Sequence, residues 1–213
     1  MRLFIACIAL GAVAVSHAQA ISITNHSFED PTLGSGSFFY SPTQMPGWSS
    51  TATGGADRGI WNTTATGKDG NNIAFAYRNN AFAQQLSDVF VANRTYTLDY
   101  LQGRTGGTTR GTAELWAGGT LTNGVVSGGT LLASNTVQMS SGTMDPFSLV
   151  YSTPGSGSMI GQPITVRFTG TTVSGESYVS FDNVRLNAVP EPMTMVAMGA
   201  GLLALARRRR ARA

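Results

Sequence analysis

Few side chains in this sequence could do polar chemistry. The chain has two histidines, His17 and His26, and one cysteine, Cys7. From Ile21 onward His26 is the sole imidazole and no thiol remains. A Ser-His-Asp triad would need His26 as its base. His26 stands beside Ser27 where the first strand begins, a turn-like and exposed place. Zinc sites draw on several His or Cys ligands, so zinc has no donor set here. Glycoside hydrolysis needs two facing carboxylates. Between Ile21 and Val189 there are Glu29, Glu114, Glu176 and seven aspartates, and no spacing pairs any two of them. "LQGRTGGTTRG" lacks the lysine and the following helix of a phosphate-cradling loop. On these grounds the central part reads as non-catalytic.

Binding chemistry has better candidates. Sugars stack on exposed aromatic rings flanked by amides and charged groups. Trp61 in "DRGIWNTTATG", with Arg58, is one such set. Arg78 with Asn79 and Asn80 is another. Core or edge packing is the competing reading for each. Trp48, directly after Pro46-Gly47, reads as a core plug, because large aromatic side chains usually bury.

The elements that carry these residues are strands. No window keeps a helical stripe, whereas period-2 patterns recur. "NNIAFAYR" puts Ile73, Phe75 and Tyr77 on one face. "TYTLDYL" aligns Tyr96, Leu98 and Tyr100. "TAELWAGG" alternates Ala113, Leu115 and Ala117 against Glu114 and Trp116, and "ITVRFTG" aligns Ile164, Val166 and Phe168. "FSLVYS" and "YVSFDNVRL" complete the set. Gly-, Pro- and Asn-containing turn signals, Gly106-Gly107 and Pro154-Gly155 among them, separate the runs. About eight to ten short strands with such spacing predict an all-β domain, an antiparallel β-sandwich or jelly roll.

The ends carry the charge. Of the 14 Lys and Arg, eight lie between Ile21 and Val189, against ten Asp and Glu, so the body is at 8 − 10 = −2 while the whole chain is at +3. Without a basic stripe the body is no nucleic-acid binder. Arg2, the apolar "LFIACIALGAVAV" and the small-x-small Ala18-Gln19-Ala20 form a secretory signal peptide cut after Ala20. Cys7 would leave with it, and the exported body would have no disulfide. At the other end Pro190-Glu191-Pro192 precedes fourteen uncharged residues, Met193 to Ala206, and then Arg207, Arg208, Arg209 and Arg210. As a helix the block is about 21 Å long, a short transmembrane anchor for a ~30 Å hydrocarbon core, with the arginines as a cytoplasmic stop. The chain thus divides into a signal peptide (1–20), a β-sandwich domain (21–188) and a sorting tail (189–213).

Taken together, "VPEP", the apolar segment and the terminal "RRRR" resemble the PEP-CTERM sorting signal of Gram-negative bacteria. That resemblance implies an inner-membrane-anchored precursor, processing by an exosortase near Pro190-Glu191-Pro192 after signal peptidase has acted, and a final place at the cell surface or outside. It also implies an exopolysaccharide or biofilm-matrix setting. The body resembles the galactose-binding-like jelly rolls of carbohydrate-binding modules through "ITNHSFEDP", "MPGW", "DGNNIAFAY", "AQQLSDVFVANRTYTLDY" and "VSFDNVRL", in that order. This resemblance implies a structural Ca²⁺ between the first and last strands, held by Glu29 and Asp182; the competing reading has both carboxylates accepting backbone hydrogen bonds. The expected function is a secreted, non-catalytic matrix protein, possible glycan contact included. The alternatives are a lectin-like module and, last, a hydrolase.

Overall fold

The computed structural model describes residues 18–40, 45–51, 58–139, 142–191 and 201. Twelve strands are found among them. The first five are short: β1 (Gln19–Ile21), β2 (Phe38–Phe39), β3 (Ser49–Ser50), β4 (Arg58–Asn62) and β5 (Asn72–Ala76). Then come β6 (Asn80–Val89), β7 (Arg94–Ala117), β8 (Thr120–Thr122), β9 (Val125–Ser127), β10 (Thr130–Met139), β11 (Asp145–Ser152) and β12 (Pro163–Pro190). Every pairing is antiparallel. The all-β antiparallel jelly-roll class is as the strand patterns predicted, but its strands are not uniformly short. β7 runs for 24 residues and β12 for 28.

These two long strands build the sandwich by folding over together. The first half of β12 lies between β6 and the second half of β7, which continues to β10. The second half of β12 pairs with the first half of β7, and that half continues to β11. On its other side this half meets β5 and β1. Phe168 and Phe181 are both on β12, and their ring centroids are 4.7 Å apart. Thirteen residues of straight strand would separate them by about 43 Å, so the ribbon must double back. It does so at register shifts between Thr172 and Ser177. Gly106 and Gly107 make the bend possible, since a Cβ would lie 2.2 Å from the Glu176 oxygen at the first and 2.1 Å from the Ser174 oxygen at the second. The Gly106-Gly107 signal therefore marks a corner within a continuous strand, not a strand end.

Between the halves lies one core. Phe28, Trp48, Phe82, Tyr100, Phe168 and Phe181 contact one another in it. Trp48 is the expected plug: 4% exposed, with its indole N–H donated to the Asn25 carbonyl. The alternations of Tyr96/Leu98/Tyr100, Ala113/Leu115/Ala117 and Ile164/Val166/Phe168 all point inward. The outward partners on β7 pair up instead. Glu114 accepts from Trp116 Nε1 at 2.8 Å and from Arg167 at 2.7 Å. His26 is exposed in a turn, as expected.

The two ends are less fully described. Ala18 lies just before β1 and Ala20 within it, both exposed, while Ile21 is buried. A cut after Ala20 would thus leave Ile21 as the anchor of the strand. Pro190 ends β12, and Glu191 is exposed just beyond it. Pro192 and Arg207 to Arg210 lie outside the described residues, as does the apolar block apart from Gly201. Among the described residues no helix is long and apolar enough to cross a membrane.

Candidate active site

Beyond the central core, a second buried layer lies on the outer face of the sheet that contains β5. All five residues of β5 are buried, so both faces of this strand are covered. The alternation then decides which side chain goes where. Ala74 and Ala76 join the central core. Phe75 points the other way, its ring edge-on to Tyr40 at 5.6 Å and to Tyr178 at 5.4 Å. The bulky residues of "NIAFAY" do share a face, as the sequence predicts, but it is the face away from the main core.

Those rings line a half-open cavity of about 170 Å³, with Phe38, Tyr40, Trp61, Phe75, Thr105 and Tyr178 in its wall. Thr105 is the one non-aromatic member. β2 brings Phe38 opposite Trp61 on β4. The close approach depends on Gly59, where a Cβ would fall 1.7 Å from the Phe39 oxygen. Phe38 and Tyr40 pack with centroids 4.5 Å apart, tilted by 53°, and remain 48% and 39% exposed, so they form the solvent side of the cavity. Past Thr105 a polar groove continues, lined by Thr63, Thr64, Thr66, Arg104 and Gly106. Two polar atoms of this outer face, Trp61 Nε1 and Ser180 Oγ, are buried with no hydrogen-bond partner. Such a group costs about 1–3 kcal/mol when left unpaired.

The candidates read from the sequence are dispersed by this geometry. Trp61 lines the cavity. Arg58 is three residues earlier on the same strand, so it points to the opposite face. It is 1% exposed, and its Nε donates to Ser50 Oγ at 3.4 Å. Arg78 and Asn79 have φ of 50° and 65° and make the tight turn between β5 and β6. Asn80 is buried and caps that turn through the Tyr77 carbonyl. Arg78 still reaches the cavity wall indirectly: its guanidinium lies 4.6 Å from the Tyr77 ring centroid, and Tyr77 packs on Tyr178 at 4.9 Å. Phe38, Phe75, Thr105 and Tyr178 were not singled out from sequence. A strand that alternates aromatic with alanine was the available signal for Phe75.

Glu29 and Asp182 do converge. Asp182 is fully buried and accepts the amides of Asp69 at 2.6 Å and Asn183 at 2.7 Å. Glu29 accepts the amides of Asn71 and Asn72 at 2.8 and 2.7 Å. Both carboxylates thus do what the hydrogen-bonding reading requires. Burial pushes the Asp182 carboxyl up to about 7, and the charges of Asp69 and Glu29 add to the effect, while its two amide donors oppose it. Arg185 lies 3.7 Å from Asp69, and the Lys68 ammonium takes the Gly70 and Asn71 carbonyls at 2.7 and 2.8 Å. Hard oxygens that already attract a cation suit Ca²⁺. However, no group of three or more metal-ligating side chains forms among the described residues. An ion here would need carbonyls of the Lys68–Asn71 loop to complete its shell.

A pH dependence follows. Between about pH 4, where an unfolded aspartate ionises, and about pH 7, the folded state holds a proton that the unfolded state has lost. The stability Asp182 contributes is full below that window and falls as pH rises through it. Asp182→Asn is expected to flatten this part of the curve in metal-free protein. Chemical denaturation at pH 4.5, 6 and 8 is the check, and an unchanged slope in the variant would assign it elsewhere.

Comparison with known proteins adds the family. No curated protein matches the sequence. A structure of the Stig cyclase Fisc from Fischerella sp. TAU, in complex with (3Z)-3-(1-methyl-2-pyrrolidinylidene)-3H-indole, is similar at a TM-score of 0.66 and 23% identity, covering 82% of this chain and 100% of that one. A cyclase from Fischerella sp. TAU in complex with 4-(1H-indol-3-yl)butan-2-one gives 0.66 and 23%, over 81% and 98% of the two chains. A CBM4 structure gives 0.48 and 15%, over 78% and 99%. The HpiC1-like family, described as HpiC1 cyclase, matches residues 19–187, and the PEP-CTERM protein-sorting motif matches residues 188–210. This overturns the expectation of a non-catalytic body. That expectation came from a search for imidazoles, thiols and paired carboxylates. A wall of aromatic rings has no such polar signature. The chain belongs to the HpiC1-like cyclase family and ends in a PEP-CTERM sorting motif that marks it for export and exosortase processing.

Proposed function

We propose that the body is an exported cyclase-type enzyme that folds an apolar, π-rich substrate inside the aromatic cavity. The cavity carries this reading. An apolar space of about 150 Å³ accepts a benzene-sized ring, so this one of about 170 Å³ suits one aromatic ring of a substrate, such as the benzo ring of the indole in the ligands of the Fischerella structures. The rest of the substrate would extend past Thr105 into the threonine-rich groove. Aromatic faces attract positive charge, and a cyclisation that develops charge on carbon would be favoured between Phe75, Trp61 and Tyr178. An acceptor atom on the substrate would satisfy the Trp61 N–H. A sugar would find no amide or carboxylate in this lining, which disfavours the lectin-like reading. Titration of the purified mature protein with 4-(1H-indol-3-yl)butan-2-one tests the site. Saturable heat of binding in isothermal titration is expected, and no saturation up to millimolar concentration would remove it.

Two further readings attach to the ends and to the acidic junction. In the first, Glu191 is the residue the exosortase recognises. Glu191→Ala is expected to leave an unprocessed precursor in the inner membrane, seen as the larger band on an immunoblot of membrane fractions. Release of that variant at the normal rate would reject the assignment. Freed outside the cell, the enzyme would work in the exopolysaccharide-rich surroundings that the motif implies. In the second, Ca²⁺ binds at Glu29 and Asp182 and neutralises their mutual repulsion. Calcium should then raise the melting temperature more at pH 8 than at pH 5, because the ligand must be ionised. No calcium effect at pH 8 would leave both carboxylates as hydrogen-bond acceptors only.

A further inference from the structure

The sorting motif does not hang from the body on a free linker. The cyclase-family match ends at residue 187 and the sorting-motif match begins at residue 188. β12 runs straight across that boundary: Val189 pairs with Thr95 and Pro190 with Arg94. The amide of Glu191 then donates to the Asn93 carbonyl at 2.9 Å. Asn93 is itself fixed, with φ of 54° and its amide on the Pro154 carbonyl. Buried Thr153 ties the same corner, donating to the Val91 carbonyl and accepting the Arg94 amide. The first half of the Pro-Glu-Pro motif is therefore the last rung of the folded sheet.

The other end of the body leaves at the same place. β1 runs antiparallel to β12, with Gln19 opposite Ala188. Ala18 thus lies next to Val189, and a signal segment ahead of it would depart beside the C-terminal tail. Val91, Asn93, Pro154 and Glu191 are all exposed on this end. Only Pro192 separates Glu191 from the apolar block that starts at Met193. Two residues of extended chain span about 7 Å. An enzyme that grips Glu191 at the membrane has no room to avoid the sandwich end around it.

We propose that this end, formed by Val91–Arg94 and Thr153–Pro154, is a docking surface for the sorting enzyme, which receives Glu191 oriented by Asn93. The proposal rests on reading the tail as an exosortase substrate. It differs from that reading in making the folded body part of what is recognised. The cavity lies away from this end, since Tyr178 is twelve residues up β12 from Pro190, so docking leaves the cavity mouth clear.

The test uses the full-length chain in a host that carries an exosortase, with precursor-to-mature conversion followed by pulse-chase. In one variant Gly-Ser-Gly-Ser is inserted between Ala188 and Val189, which keeps the motif and the pairing of Ile21 with Leu186 but frees Glu191 from Asn93. Conversion at least fivefold slower is expected. Unchanged or faster conversion overturns the proposal, because it means the motif is read as a loose segment. Resistance of the body to limited proteolysis checks that the variant folds. If it does not, Arg94→Glu, which keeps the backbone pairing, decides instead: slower conversion supports the surface and normal conversion rejects it. If the unmodified chain is not converted at all, the sorting assignment fails and the docking surface with it.

Discussion

Trp61→Ala is expected to weaken binding of an indole ligand about thirtyfold while the domain stays folded. The indole of Trp61 forms one wall of the cavity. Loss of a ring contact of this kind, with the apolar area it covers, is worth about 2 kcal/mol, which corresponds to a factor of about 30. Trp61 is not part of the central core cluster, so folding has less to lose than binding. Phe75→Leu should give a milder version, since it removes the edge-on contacts to Tyr40 and Tyr178 but keeps most of the volume. Isothermal titration of both variants separates the effects. Unchanged affinity in Trp61→Ala would move the binding site away from the cavity.

The largest expected loss of stability comes from Phe168→Ala. Phe168 is fully buried and touches the rings of Trp48, Phe82, Tyr100 and Phe181. Tyr100 and Phe181 come from the half of the ribbon opposite Phe168, Phe82 from β6 beside it, and Trp48 from a segment packed on the core. Truncating a buried phenylalanine costs about 3–5 kcal/mol, against a total of about 5–15 kcal/mol for a typical domain. No disulfide can offset the loss, since Cys7 is the only cysteine. Urea denaturation should show the midpoint falling without a change in the wild-type slope. A cost below about 1 kcal/mol would mean that the two halves do not share one core.

Much of the architecture was legible because strand alternation is local. Tyr96, Leu98 and Tyr100 alternate over five residues, and no distant partner is needed to see that they share a face. The corner at Gly106-Gly107 was visible as glycine, yet its meaning was not. Whether a glycine pair ends a strand or bends it depends on what lies across from it, here Ser174 and Glu176. Arg58 and Trp61 looked like partners because they are close in sequence. An odd spacing on a strand puts them on opposite faces, and only the observed extent of β4 fixes that they share a strand.

By itself the sequence carried a sorting motif that implies export, and it determined the class of fold. A sorting signal is read as a linear string, and a period of two is written residue by residue. The resemblance implied a shared place for Glu29 and Asp182, and the structure brings both carboxylates to amides of the Asp69–Asn72 stretch. Only the tertiary structure decided where the chemistry can occur. The cavity draws on β2, β4, β5, β7 and β12, from Phe38 to Tyr178. Its wall forms because β5 turns its alanines inward and Phe75 outward, a choice set by what packs on each side and not by the alternation alone. A shared apolar wall is a property of distant segments meeting, so no single stretch of sequence can carry its signature.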